Sequence, residues 1–331
     1  MKIDYQTLSQ EELELSFFEF CKRGDLSEIK QILNYYQIKE VIDIPQTINK
    51  GYVYACENGK LNVVQYLLTT PNLNHNADIH TENECGFKVA CENGHLELIH
   101  FLLTNINLKE HVNIHTNSDE GFMMAAYRGQ IAVVKYLLTT PLLEDHCDIH
   151  TNNDGAIVLA CMAGKIKMVD FLLTSTELKE HSNIYAKKCE AFWKACENGH
   201  LHILKYLLAN KEFENKIKLE NCASDSLFKV CENGHWEIIK FLLENTKLKL
   251  NTNIDNILEM GVFLGLKNNK EDFIRNLILN FNIPLTETFK NYLITQGRQD
   301  ILNLFFNKQL KETLSKELKE KNKEKVKKTK V

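Results

Sequence analysis

The sequence predicts an all-α solenoid of about eight to nine helix-turn-helix repeats with degenerate C-terminal caps. Three observations predict it. Seven glycines fall 35 residues apart, at Gly24, Gly59, Gly94, Gly129, Gly164, Gly199 and Gly234, and Asn269 holds the next slot. Apolar residues flank each glycine at helical spacing on both sides. Polar runs, some opened by proline, separate these blocks. A strict period of this length marks stacked units, each burying its face only on its neighbours. One repeat body over residues 1–310 is therefore expected, although a length of 331 alone would suggest about two domains.

The elements follow in order. Ser9-Gln10-Glu11-Glu12 offers a serine N-cap with carboxylates in the first turn, which suits the helix dipole. In the unit around Gly94, Phe87, Ala90 and Cys91 lie at i, i+3 and i+4, and Ile99, Leu102 and Leu103 repeat that spacing. The glycine between them ends the first helix by accepting a left-handed conformation. Five positions after each glycine slot comes Ile29, Val64, Ile99, Val134, Val169, Leu204, Ile239 or Ile274. Thr69-Thr70-Pro71 and Thr139-Thr140-Pro141 stop the second helix, because proline cannot continue it. Thr81-Glu82-Asn83-Glu84 reads as loop. After Asn269 the step breaks. Gly297 is the next turn, and Leu302, Phe305 and Phe306 repeat the second-helix pattern, so residues 254–310 read as degenerate terminal repeats. Residues 311–331 form a Lys-rich tail, expected to be helical at its start through Leu310, Leu314 and Leu318 and disordered beyond.

Composition excludes several functions. The chain is 44% hydrophobic and 25% charged, within the range of soluble globular proteins. The polar start Met1-Lys2-Ile3-Asp4-Tyr5 lacks a signal-peptide core, and no apolar run reaches the roughly 18 residues of a membrane helix. A cytoplasmic, reducing location is expected. Six of ten cysteines share one repeat slot (Cys21, Cys56, Cys91, Cys161, Cys196, Cys231), and Ala126 fills it in the fourth unit. A slot shared by Cys and Ala wants a small buried side chain, so packing is expected rather than metal or redox chemistry. His111 and His115, like His146 and His150, have a spacing that could hold a metal on a helix. They sit in inter-repeat loops, and the next unit carries His181 and Tyr185, so space filling or local hydrogen bonding is expected. His95, His200 and His235, just after the turn glycine, are read as local hydrogen bonders. No catalytic motif or phosphate loop occurs, so no enzyme activity, cofactor or small-molecule substrate is expected.

Ala90-Cys91-x-x-Gly94-His95-Leu96, the later Leu102-Leu103, and Ala77-Asp78-Ile79-His80 resemble the ankyrin repeat, over roughly residues 10–281. The pattern departs from the family. Its step is 35 residues rather than about 33, and Cys85-Gly86-Phe87-Lys88 stands where the family carries Thr-Pro-Leu-His. The segment from Thr69 to Asn76 is longer, so extended loops with few ladder bonds are expected in place of projecting β-hairpins. The resemblance implies a protein-interaction module that presents a concave surface of first helices and loops. Arrays of Lys/Asn-rich composition resemble those of intracellular bacteria and large viruses, which implies an effector that a specialised system delivers into a host cell to act on host proteins.

The slots five, two and one before each glycine share one face of the first helix, and in the ankyrin family the last two line the concave surface. Four of the eight units fill the last two with Glu-Asn; units four and five break the pattern with Met124, Tyr127, Arg128, Leu159 and Met162. Aromatic, Met and Arg side chains are enriched at interface cores. The candidate partner-binding residues are therefore Tyr127, Arg128, Met162, Met124, Leu159, Glu92 and Glu197, an apolar patch in an acidic surround. Met124 and Leu159 also fit packing between repeats. The alternative is an adaptor that uses its tail, since residues 308–331 hold ten lysines and four glutamates, a net of +6 that leaves −10 on the rest of a chain of net −4. Nucleic acid or acidic membrane would be the partner in that case. A monomer is expected.

Overall fold

A computed structural model describes residues 5–39, 44–71, 73, 75–216, 223–245 and 254–328. The polar start at 1–4, Cys222 and the tail residues 329–331 lie outside them. The protein is all-α, 72% helical, with no strand among the described residues. It divides into two compact units, Met1–Lys194 and Ala195–Val331.

The first unit holds helix pairs in chain order. These are α1 (Gln10–Arg23) with α2 (Leu26–Lys39), α3 (Ile44–Glu57) with α4 (Leu61–Thr69), α5 (Thr81–Asn93) with α6 (Leu96–Thr104), α7 (Glu120–Arg128) with α8 (Ile131–Thr139), and α9 (Thr151–Met162) with α10 (Ile166–Thr174). Most of α11 (Ala186–Glu197) follows. Ser9 caps α1, and its backbone N–H donates to Glu12 in return, so two orphan donors are satisfied reciprocally. Every pair closes as the sequence predicts. Gly94 takes φ +81°, and the next amide, His95 N–H, donates to Ala90 O at 3.0 Å, which satisfies a terminal carbonyl of α5.

First helices pack on first helices, in the order α1, α3, α5, α7, α9, and each packs on its own second helix. The predicted core slots carry this packing. Phe17, Tyr52, Phe87, Phe122 and Ile157 are buried, as are Cys21, Cys56, Cys91, Ala126 and Cys161 in the shared cysteine slot. Burial pushes the Cys91 thiol well up, out of the reactive range. A second small-residue slot, not recognised in the sequence, makes the stacking close. A methyl group added at Gly86 would lie 2.6 Å from the Tyr52 ring of the preceding repeat. Gly51, Gly121 and Ala156 hold the same slot.

The segment Thr81-Glu82-Asn83-Glu84 is not open loop. Glu82, Asn83 and Glu84 adopt φ of 51°, 54° and 61°, a single left-handed turn leading into α5. The turn recurs 35 residues apart, at 117–119, 152–154 and 187–189. L-residues visit this region at a cost of about 1–2 kcal/mol each, and Asn and Asp tolerate it best. Asn83, Asn117, Asp119, Asn152, Asn153 and Asp154 hold half of these positions, and Glu82, Glu84, Ser118, Lys187, Lys188 and Cys189 hold the rest. Among the described residues the loops form no strand, and these turns give them a defined shape.

The second unit contains α12 (Leu201–Ala209), a short α13 (Lys211–Lys216), α14 (Ala223–Asn233), α15 (Trp236–Glu244), α16 (Ile254–Lys267), α17 (Glu271–Asn280), α18 (Glu287–Thr295) and α19 (Gln299–Lys328). Asn269 turns left-handed at φ 54°, as a glycine substitute should. Gly297 makes the last turn, with Arg298 N–H donating to Leu293 O at 2.8 Å. Two expectations are corrected here. Phe306 is 45% exposed rather than core, while Leu302 and Phe305 are buried. The tail is helical to Lys328 rather than only at its start, with residues 309–321 exposed all round. Its Lys and Glu side chains are good helix formers and need no core to be placed.

Candidate interaction surface

Tyr127, Met124, Leu159 and Met162 all lie half-buried on the adjacent first helices α7 and α9. Arg128 is exposed at the end of α7. Its Nε donates to Glu92 Oε1 on α5 at 2.8 Å, and its guanidinium carbon stands 5.8 Å from the centre of the Tyr127 ring. Glu92, Tyr127 and Arg128 thus form one cluster across two repeats. The carboxylate of Glu92 is occupied by that pair rather than standing open to a partner.

Glu197 is corrected more sharply. It belongs to the second unit and is only 7% exposed. Its Oε1 accepts from Ser226 Oγ at 3.0 Å and lies 3.7 Å from Lys229 Nζ. Asn233 Nδ2 donates to its backbone carbonyl at 2.7 Å. Ser226 holds the small-residue slot of Gly51 and Gly86, and its hydroxyl draws the carboxylate inward. Glu197 is a packing element, not part of an acidic surround.

The second unit carries a feature that the sequence reading missed. A groove of about 520 Å³ opens along α14, α16 and α18, lined by Phe228, Glu259, Met260, Phe263, Phe289 and Tyr292, with Thr288. Met260 is 42% exposed and Phe263 36%. The Phe263 and Tyr292 rings lie 5.1 Å apart and tilted, and Phe289 stacks on Tyr292 at 6.5 Å and 12°. Glu259 Oε1 accepts from Thr286 Oγ1 at 3.1 Å, which fixes a carboxylate at the rim. A legible signal existed. Phe228 and Phe263 stand 35 residues apart, six before their turn residues, in a slot filled elsewhere by Phe18, Met123 and Trp193.

The family described as Ankyrin repeats (3 copies) matches residues 87–183, 122–218 and 158–256, overlapping windows that together cover half of the chain. The chain belongs to the ankyrin-repeat family. No curated protein matches it by sequence. Ankyrin repeats are in general protein–protein interaction modules, not enzymes. Among the described residues no helix is long and apolar enough to cross a membrane, and no group of three His, Cys, Asp or Glu is placed to hold a metal ion.

The ankyrin loops use histidine in three ways. His111, His146 and His181 each bond the carbonyl six residues earlier, at Asn105, Thr140 and Ser175, as local loop fasteners. The histidine after the glycine works across repeats instead of locally. His95 lies over Gly59 of the preceding repeat, and its Nε2 reaches Glu57 O at 2.9 Å. The third set, His80, His115 and His150, joins carboxylates. His80 Nδ1 lies 2.6 Å from Glu84 and Nε2 lies 2.9 Å from Glu110. His115 lies 2.6 Å from Asp119 and 3.0 Å from Asp145, and His150 lies 2.8 Å from Asp154 and 3.4 Å from Glu180. The hydrogen bond to Glu84 raises the His80 pKa above its ordinary value. At His115 and His150 burial opposes the charge, but hydrogen bonds to Asp119 and Asp145, and to Asp154, outweigh it and raise both.

Proposed function

We propose that this ankyrin array binds a partner protein on its first-helix face, and that the groove of the second unit is its anchoring site. The groove carries the reading. Three aromatic rings and a methionine are left partly open over the buried Phe289 in a concave site of side-chain size, and pockets of this kind receive the aromatic and aliphatic anchors that dominate interface energies. The fitting partner is a segment with apolar anchors that end near the Glu259 carboxylate, where a basic residue is favoured. The Tyr127, Arg128 and Met162 patch of the first unit is a second contact region, with Met124 and Leu159 contributing apolar area. The Lys/Asn-rich composition supports a role as an effector acting on host proteins. Affinity capture from lysate tests this with three chains: the native one, Met260→Glu with Phe263→Glu, and Tyr127→Ala with Met162→Glu. Loss of the captured protein in the groove variant supports the reading; undiminished capture by both variants overturns it.

A second reading rests on the exposed, Lys-rich half of α19, which would contact nucleic acid or acidic membrane. Binding that weakens steeply with salt and vanishes when residues 311–331 are removed would favour it.

A further inference from the structure

Each of His80, His115 and His150 bridges two repeats, and the bridge has one chemical requirement. The first carboxylate belongs to the left-handed turn four residues on and is nearly buried: Glu84, Asp119 and Asp154 have side chains 5%, 4% and 7% exposed. The second belongs to the next loop, thirty residues on, and stands in solvent at Glu110, Asp145 and Glu180. Both ring nitrogens thus face carboxylate oxygens. An ionised carboxylate only accepts hydrogen bonds, and a neutral imidazole donates one. Only the imidazolium donates to both sides.

The same buried acid also holds the next loop directly. Glu84, Asp119 and Asp154 accept the backbone N–H of Asn113, Asp148 and Asn183 at 3.2, 3.3 and 2.7 Å. In the two repeats that flank this series, the histidine and the acid are both missing. Pro45 precedes Asn49, whose amide oxygen accepts Asp78 N–H at 2.8 Å, and Tyr185 precedes Cys189. Across these five consecutive repeats the two slots change together, which marks them as one device.

We propose that His80, His115 and His150 form a proton-operated ladder that ties consecutive inter-repeat loops of the first unit together, closed when the rings are protonated and loosened when they are neutral. The charged groups facing each ring set its balance. Asp78, Glu84 and Glu110 stand around His80 with Lys109 in the adjoining loop, Asp119 and Asp145 around His115, and Asp148, Asp154 and Glu180 around His150 with Lys179 nearby. Acids outnumber bases at every rung. The raised histidine pKa values fix the sign. The stabilisation is complete below the unfolded value of about 6.5 and is lost as pH rises through the raised folded values. On the acid side, the hydrogen bond to His115 lowers the Asp145 pKa, so that contribution fades only as pH falls through its depressed value.

The test compares the full chain with a variant that neutralises only the exposed carboxylates, Glu110→Gln, Asp145→Asn and Glu180→Gln, which leaves the buried turns intact. Imidazole NMR titration and thermal unfolding are followed from about pH 6 to about pH 9. In the native chain the three rings titrate above the ordinary value of about 6.5, and the unfolding midpoint falls by roughly 2–4 °C as pH rises. In the variant the three values drop and the slope flattens. Rings that titrate at or below the ordinary value, or identical profiles for the two chains, overturn the ladder.

Discussion

At Gly59 two independent constraints fall on one residue. Its φ of +65° lies where a Cβ is disfavoured, and a methyl group there would meet the His95 ring at 2.6 Å. Gly59→Ala should therefore cost more than the roughly 1 kcal/mol of a left-handed alanine alone, and urea unfolding should show it. His95→Ala in the same background should recover part of the loss, because it removes the ring that the methyl group meets. The glycine step was plain in the sequence, and so was its role as a helix stop. Its second role was not, because it depends on what the next repeat places 36 positions away. The same limit explains Glu197. Nothing in Glu-Asn-Gly-His distinguishes it from Glu92, yet Ser226 one repeat on draws it inward, while Arg128 holds Glu92 at the surface.

At the level of elements, the helices were legible and the turns between them were not. The slots seven, four and three before each glycine are buried from Phe17 to Val262, with Leu266 half-buried as the array degenerates. Helical periodicity needs only apolar spacing, and that is written in the chain. A left-handed turn is written weakly, since runs such as Asn152-Asn153-Asp154 look like any polar loop. The register that opens the groove was hidden for another reason. The step from Asn269 to Gly297 shortens to 28 residues, so the repeat template no longer says which slots of α18 face α16. The last helix yields a test at this scale. Lys308 Nζ donates to the carbonyls of Ile278 and Phe281, satisfying the C-terminal end of α17, and that burial lowers its pKa. Lys308→Ala should destabilise the second unit by about 1.5–3 kcal/mol, the worth of hydrogen bonds from a charged donor. Truncation after residue 310 removes only exposed side chains among the described residues and should leave the melting curve unchanged.

For the whole molecule, repetition supplies the scaffold and departures from it supply candidate function. Cysteines and post-glycine histidines recur with the period and serve the stack. The ladder histidines recur three times and then stop at Tyr185, and the aromatic residues around Met260 gather where the period breaks. The groove lined by Phe228, Met260, Phe263, Phe289 and Tyr292 is proposed to anchor a partner protein. A photo-crosslinking residue placed at position 263 tests it most directly, with one at position 240 on the second-helix face as control. A discrete protein adduct is expected from position 263 and none from 240. Equal labelling from both positions, or none from 263 while the partner is still captured, would contradict it.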